Sequence, residues 1–466
     1  MRIALVAAEV FPFAKTGGLA DVCGALPAAL ENLGHEVIVI MPYYRCVGPQ
    51  QAFNERALTA TIGRNVRVFF LIHKEFFNRA GLYGTRTGDY PDNLDRFSFF
   101  CHQALAFLKE LGTPFDIVHC HEWQTGLLPV LLKEQGGQDS FFARTRTVFT
   151  IHNLAYQGLF PAEQFAKLGV GQELFNDRQL EFYGKINLMK AGIVCSDYVT
   201  TVSPQYAREI QTQDFGCWLE GVLKSRRDRL TGILNGLDYS HWDPLTDGYL
   251  EPKYDGQVMS AKHVHKARLQ EELGLEVLPD IPVFGFVGRL CYQKGLDLLE
   301  SAFEELMRRP VQLVFQGRGE DKYQNMLLRL AKWSPQKCGV SIRYDERAAH
   351  RIYAGSDFFL MPSIYEPCGL TQMISLRYGA IPVTSHVGGL VDTVTDIASE
   401  TGHGNGIVMS TYSVAGLLEA VDRAVGMYYQ QERMQAFVRH GMSCRWTWEA
   451  AARRYVECYE TCLQSA

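Results

Sequence analysis

Short apolar runs rich in Val, Ile and Phe recur along the chain, each followed by a turn and then a segment with helical spacing. Runs of this kind mark βαβ units, whose parallel strands are buried on both faces and so read as continuous rather than alternating apolar stretches. In the first half the pattern predicts strands at Ile3–Ala8, Val37–Met41, Ile117–Cys120, Thr147–Ile151, Tyr198–Val202 and Gly232–Leu234. In the second half it predicts Val283–Val287, Val311–Gln316, Val340–Tyr344, Phe358–Met361, Ile381–Thr384 and Gly406–Met409, with helices such as Leu298–Arg308 between them. From Asp238 to Asp280 the pattern fades into Asp243-Pro244, Gly248, Glu251-Pro252 and Leu278-Pro279-Asp280, a composition expected of a hinge or linker. The last segment, Trp446 to Cys462, reads as an amphipathic helix with Trp448, Ala451, Ala452, Tyr455, Val456 and Tyr459 near one face. The expected organisation is therefore an α/β protein with Rossmann-like doubly wound domains at 1–240 and 241–445, and a terminal helix, 446–466, that packs back on the first domain. Two such domains facing each other enclose a deep cleft, with ligands at the C-terminal ends of the strands.

Composition narrows the function classes. The chain has 466 residues, 47% of them hydrophobic, which is ample for two or three cores and argues against disorder. Lys and Arg total 46 against 51 Asp and Glu, and no basic run exceeds two residues, so nucleic acid is not an expected partner. The first apolar stretch is interrupted by Glu9, too early for a signal peptide or a membrane span, so no membrane partner is expected and a cytosolic or stromal protein is the simplest reading. Twelve cysteines are scattered without any C-x-x-C spacing and are expected to be reduced thiols, mostly in the core. His119-Cys120-His121 looks like a metal cluster only superficially. Strand alternation turns the two histidines to one side and Cys120 to the other, so no metal is expected there.

Three segments carry candidate chemistry. The first strand runs into Lys15-Thr16-Gly17-Gly18-Leu19-Ala20-Asp21, where paired glycines admit a ligand to the backbone and the following helix offers amides to an anion. Taken alone, the segment is equally an ordinary βα turn with a surface lysine. It is not a P-loop, because Lys15 precedes the glycines. In the second half, Arg289 and Lys294 follow the first strand, where two cations could clamp a diphosphate; a solvated surface is the alternative. Farther on, the strand at Phe358–Met361 delivers Glu366 to its exit, and Gly369 to Thr371 can open a helix with free amides. A carboxylate beside an anion cradle suits a ligand with both sugar hydroxyls and phosphates; the alternative for Glu366 is a simple acid at a helix N-terminus. No aspartate is followed by another two positions later, so the acidic pair with which many nucleotide-sugar enzymes hold a divalent ion is missing.

With these motifs in hand, the sequence resembles the bacterial glycogen synthase and plant starch synthase family, glucosyltransferases of the GT-B fold. The resemblance rests on KTGGLAD at Lys15–Asp21, HNLAYQG at His152–Gly158, ILNGLD at Ile233–Asp238, GRLCYQKG at Gly288–Gly295 and EPCGLTQ at Glu366–Gln372. It implies transfer of glucose from ADP-glucose to the non-reducing 4-hydroxyl of an α-1,4-glucan or maltooligosaccharide, with retention and without metal or other cofactor. It further implies that Arg289 and Lys294 neutralise the diphosphate. Gly18, Cys368, Gly369, Leu370 and Thr371 lie against the donor, with Tyr344 on adenine and Glu366 on glucose hydroxyls. Lys15, Asp21 and Asn235 line the sugar, His152 presents its carbonyl to the anomeric carbon, and Glu122, Trp123, Asn153 and Tyr156 fall on the acceptor side. The catalytic set is thus Lys15, Asp21, His152, Arg289, Lys294 and Glu366.

Departures from the family pattern are also legible. The family reads His-Asp-Trp where this chain has His121-Glu122-Trp123, and Arg-x-Thr where it has Ser385-His386-Val387, which suggests an altered donor affinity or preference. A second glutamate common in the wider group is here Ile374, and no protein nucleophile stands out, which favours a front-face mechanism over a covalent glycosyl-enzyme. A dehydrogenase is disfavoured because Gly317-Arg318-Gly319 lacks the third glycine of the dinucleotide motif and follows an interior strand of the second half. A phosphorylase would show a pyridoxal absorption band. The remaining rival is a non-catalytic glucan-binding paralogue, against which the joint presence of Lys15, Arg289, Lys294 and Glu366 argues. No carbohydrate-binding module precedes Met1-Arg2-Ile3, so a catalytic core alone is expected, and Phe76, Phe77 and Tyr83 are candidate exposed aromatics for surface glucan. Product type and oligomeric state leave no mark in the sequence.

Overall fold

The computed structural model describes residues 1–85, 88–136, 139–257, 259–398 and 404–464. The chain divides into two compact units, Met1–Gly236 with Thr447–Ala466, and Leu237–Trp446. Among the described residues no helix is long and apolar enough to cross a membrane, and all twelve cysteines are free thiols, nine of them buried.

The first unit is built on a nine-stranded sheet. Across it run Leu230–Gly232, Tyr198–Thr201, Arg146–Ile151, Ile117–His121, Arg2–Val6, Glu36–Pro42, Val66–Leu71, Ala57–Ile62 and Gln51–Ala52. All pairs are parallel except the last two, which turn back as an antiparallel edge. Registers such as Ile3↔Val37 on one side and Ile3↔Ile117 on the other stack fully buried Val, Ile and Leu side chains on both faces, which is why these strands read as unbroken apolar runs. The edge strands escaped the sequence reading because Ala57–Ile62 has one buried position and otherwise half-exposed or exposed ones.

The second unit is a six-stranded, wholly parallel sheet in the order Cys338–Ser341, Gln312–Gln316, Val283–Val287, Phe358–Met361, Ile381–Thr384 and Ile407–Val408. The third strand of this half begins and ends earlier than expected, so Tyr344 lies on the loop beyond it rather than within it. The first half's last strand is likewise Leu230–Gly232, displaced toward the N-terminus of its expected position. In both sheets the chain's first strand is central, and strand order reverses beside it: between Arg2–Val6 and Ile117–His121 in one unit, and between Val283–Val287 and Phe358–Met361 in the other. In open α/β sheets, loops leaving the strands on either side of such a reversal diverge and leave a crevice.

The segment after Leu237, expected as a linker, is instead packed into the second unit. Asp247, Leu250 and Tyr254 are buried, Arg377 pairs with Asp243, and a helix spans Ser260–Glu272. Its weak apolar periodicity reflects polar burial: Lys262 donates to the carbonyls of Ala354 and Tyr378, and Lys266 pairs with Asp357 at 2.9 Å. The terminal helix, Trp448–Gln464, belongs to the first unit, where it packs beside the helix Gly18–Asn32. Its buried face carries Trp448, Ala451, Ala452, Tyr455, Cys458, Tyr459 and Cys462. Tyr459 reaches the buried His119 Nδ1 across the fold at 2.8 Å. Removing that hydroxyl strands a buried ring nitrogen, which costs about 1–3 kcal/mol. Tyr459→Phe should therefore lower the first unit's melting temperature in calorimetry; an unchanged transition would show that this bond does not anchor the helix.

Candidate functional site

In the first unit the site residues gather around two buried carboxylates. Glu9, just beyond the first strand and 3% exposed, accepts from the Thr16 hydroxyl at 2.7 Å, from the Tyr83 hydroxyl at 2.6 Å and from the Thr16 amide. A desolvated carboxylate needs such donors, and supplying them folds the Lys15–Gly17 loop over it. The helix Gly18–Asn32 starts immediately afterwards, and a Cβ on Gly18 would meet nothing within 4 Å, so its backbone faces open space. Lys15 Nζ lies 2.6 Å from Asp21 Oδ1 and over the Phe11 ring. Glu9 carried no motif signal; only its position just past a strand end, before the loop, could have marked it. Tyr83 and Phe77, expected as exposed aromatics, are committed inside: Tyr83 to Glu9, and Phe77 to the core.

The second carboxylate is Glu122, at the exit of Ile117–His121. It adopts φ +66°, a left-handed conformation that is strained for a side-chain-bearing residue. There its Oε1 accepts from the backbone amides of His152 and Asn153 at 2.6 and 2.7 Å. Burial pushes its pKa up to about 8, against the lowering effect of those amides. Trp123 is buried between Phe97 and Phe160 and against Gly158, whose φ of +63° and 2.5 Å clearance to the indole leave no room for a side chain. Glu122 and Trp123, expected on the acceptor side, are buried and hold the His152–Gly158 loop, Glu122 through its amides and Trp123 against Gly158. On that loop Tyr156 is exposed, and Asn153 Oδ1 accepts from the Ala155 amide.

The side chain of His152 meets His121, Nε2 to Nδ1, at 3.0 Å. The His119 and His121 rings lie with centroids 4.1 Å apart and planes tilted by 35°, on one side of the strand as alternation requires. His119 spends both nitrogens, on Tyr459 and on Thr150 Oγ1 at 2.6 Å, so it cannot also bind a metal. Burial pushes His119 down to about 3, helped by His152, and pushes His152 itself down to about 3. His121 falls well below the usual range through burial and its two histidine neighbours. The trio is neutral at physiological pH. Asn235 is also buried in this unit, with an Oδ1 that has no hydrogen-bond partner.

The second unit assembles its group where strand order reverses. Arg289 is exposed just past the first strand, and Lys294 closes the short helical turn Tyr292–Lys294. Gly295 follows at φ +70°, so close to the Pro362 carbonyl that a Cβ would lie 1.8 Å from its oxygen. That contact seats Lys294 beside the exit of Phe358–Met361, where its Nζ is 2.6 Å from Glu366 Oε2. The same oxygen accepts from the Ser363 hydroxyl at 2.9 Å, and Ser385 Oγ donates to the Ser363 carbonyl. Ser385 is therefore a buried support behind Glu366, a role that its sequence context did not disclose. Cys368 is buried, Gly369 has φ +70°, and Leu370 precedes the helix Thr371–Arg377 without a side-chain cap on its first amides. Ile374 is buried. Tyr344 is 75% exposed.

Residues 2–225 match the family described as "Starch synthase catalytic domain", and residues 275–440 match "Glycosyl transferases group 1". The chain is 44% identical over 479 residues to a glycogen synthase of Geotalea daltonii and 45% identical over 479 residues to one of Geotalea uraniireducens, each pairing covering 99% of both chains. Among solved structures it is similar to the catalytic domain of starch synthase IV from Arabidopsis thaliana bound to ADP and acarbose, at 32% identity and a TM-score of 0.89, covering 99% of both chains. It shares the fold of a sucrose-phosphate synthase from Thermosynechococcus elongatus, at 18% identity and a TM-score of 0.64 over the full length of both.

The buried groups set the pH response of the first unit. A histidine held neutral in the fold, with its pKa lowered, contributes stability above its unfolded value of about 6.5, and that stability is lost as pH falls toward the folded value. Three such histidines should lower the melting temperature steadily below about pH 6.5. Glu122 acts oppositely: its raised pKa makes its contribution fall away as pH rises from about 4.5 through about 8. Glu122→Gln, which keeps an acceptor for the two amides, should flatten the alkaline side without loosening the loop. Calorimetry from pH 5 to 9 tests both, and a melting temperature flat below pH 6.5 would refute the neutral trio.

Proposed function

The chain belongs to the glycogen synthase and starch synthase family, and from that membership we propose that it is an ADP-glucose:α-1,4-glucan glucosyltransferase. It moves glucose from ADP-glucose to the non-reducing 4-hydroxyl of a growing α-1,4-glucan, retains the anomeric configuration and needs no metal. The observation that carries the reading is the Lys294–Glu366 pair beside Arg289 at the strand reversal, in a chain similar over its whole length to a starch synthase domain solved with ADP and acarbose.

Its residues divide the work by charge. Lys294 and Arg289 neutralise the diphosphate as the bond from C1 to phosphate oxygen breaks. The amides opening Thr371–Arg377 and the backbone of Gly18 take up phosphate oxygens. Glu366, aimed by Ser363 and Lys294, accepts from glucose hydroxyls, while the exposed Tyr344 ring stacks on adenine. In the first unit, Lys15 with Asp21, Asn235 and the loop of His152 and Asn153 hold the sugars. The His152 carbonyl faces C1, and Tyr156 offers its exposed ring to the acceptor glucan. As C1 bonds to the acceptor's 4-oxygen, the hydroxyl proton passes to the departing phosphate on the same face, so atoms and charge balance without a protein nucleophile. Stabilising the leaving group is the largest contribution. Removing one preorganised donor of that kind costs on the order of 10²–10³ in rate.

Purified protein should incorporate radiolabel from ADP-glucose into maltooligosaccharide, with undiminished rate in EDTA. Absence of incorporation over a range of primers would favour the glucan-binding reading instead. Lys294→Ala and Glu366→Ala should each reduce kcat by on the order of 10²–10³. Full turnover in either would show that the donor group is misassigned.

A further inference from the structure

The second unit holds a further cluster that shares no residue with the donor group. His241, Glu346 and His350 each bring a ligand atom within 4.8 Å of the others, the one such trio of His, Cys, Asp or Glu among the described residues. Glu346 and His350 are four apart on the helix Glu346–Gly355, so they share one face. His241 arrives from the segment that enters the unit, with Nε2 2.6 Å from Glu346 Oε1. The two imidazoles stand 5.1 Å apart between centroids and at 90°.

His350 is what separates this cluster from an ordinary surface ion pair, which contributes little to stability. Its ring is 1% exposed and held on one face by Trp242, stacked at 4.1 Å and 11°. Nδ1 lies 2.7 Å from Asp247 Oδ2, and the Tyr378 hydroxyl donates to the same carboxylate oxygen. With Asp247 accepting, Nδ1 carries the proton and Nε2 presents a lone pair. That Nε2 is buried with no hydrogen-bond partner. A carboxylate that orients an imidazole and leaves its far nitrogen unprotonated is the support found behind metal-binding histidines.

We propose that His241 Nε2, His350 Nε2 and one Glu346 carboxylate oxygen bind a single Zn²⁺. A carboxylate with two imidazoles is a zinc donor set, and nitrogen ligands select against Mg²⁺ and Ca²⁺. The side chains of His241 and Glu346 are 30% and 37% exposed, so a fourth position reaches solvent for a water ligand. Any proton on His241 Nε2 moves to Nδ1 or to solvent as the metal displaces the hydrogen bond to Glu346. The ion ties the entering segment to a helix 105 residues later and thereby stabilises the unit; it takes no part in glucosyl transfer.

Untagged full-length protein, stripped with EDTA and transferred to chelator-free buffer, should take up one Zn²⁺ per chain in calorimetric titration, with a raised melting temperature. Co²⁺ in its place should show the visible absorption of a four-coordinate nitrogen and oxygen site, and excess Mg²⁺ should not compete. His241→Ala and Glu346→Gln remove ligands that are not buried, so both should fold, bind Zn²⁺ at least about 10–100-fold more weakly and lose the metal-dependent rise in melting temperature. No uptake by the wild type, or uptake with equal affinity by wild type and His241→Ala, would overturn the site.

Discussion

A buried carboxylate at the exit of a parallel strand is the constraint that shapes every loop of chemical interest in this protein. Glu9, Glu122 and Glu366 each stand past the end of a strand whose neighbours bury both faces, where water cannot satisfy the carboxyl oxygens. A buried polar group without hydrogen-bond partners is costly, so each loop must bend until it supplies donors. Thr16 and Tyr83 turn to Glu9, the amides of His152 and Asn153 turn to Glu122, and Lys294 with Ser363 turns to Glu366. The loops that carry Lys15, His152 and Lys294 owe their shapes to these anchors. The strain at Glu122, with φ +66°, is the visible cost of one of them.

The two units use their anchors in different electrostatic settings. In the first, three histidines are neutral by burial and Glu122 is drawn toward its protonated form, so much of the surroundings is hydrogen-bonding rather than ionic. In the second, Lys294 brings positive charge to Glu366, and Arg289 stands exposed just past the strand Val283–Val287. A neutral, donor-rich lining suits sugar hydroxyls, and a cationic one suits a diphosphate. A chain with a net charge of −5 can serve both because local placement, not the overall sum, sets the field a ligand meets.

Much of this was legible from the sequence. The unbroken apolar runs foretold both parallel sheets, since strands buried on both faces leave that trace whatever surrounds them. Lys15, Arg289, Lys294 and Glu366 could be picked out because they follow strands in segments rich in glycine. Other residues gave no such sign. Glu9 and Ser385 act through partners seven and twenty-two positions away. Trp123, read from its motif only as a residue of the acceptor side, is buried against Gly158, where a Cβ would lie 2.5 Å from the indole. The stretch after Leu237 looked like a linker because its burial is polar, carried by Asp247, Lys262 and Lys266 rather than by apolar spacing.

Periodicity and local chemistry are properties of neighbours along the chain, so the sequence by itself determined the alternation of strands and helices, the two α/β halves and the residues that leave the strand ends. Which of those residues meet was decided only by the tertiary structure. The Lys294–Glu366 pair closes over 72 residues, His241 and Glu346 over 105, and His119 and Tyr459 over 340. Such contacts depend on strand order and on the packing of whole units, and no spacing along the chain records either.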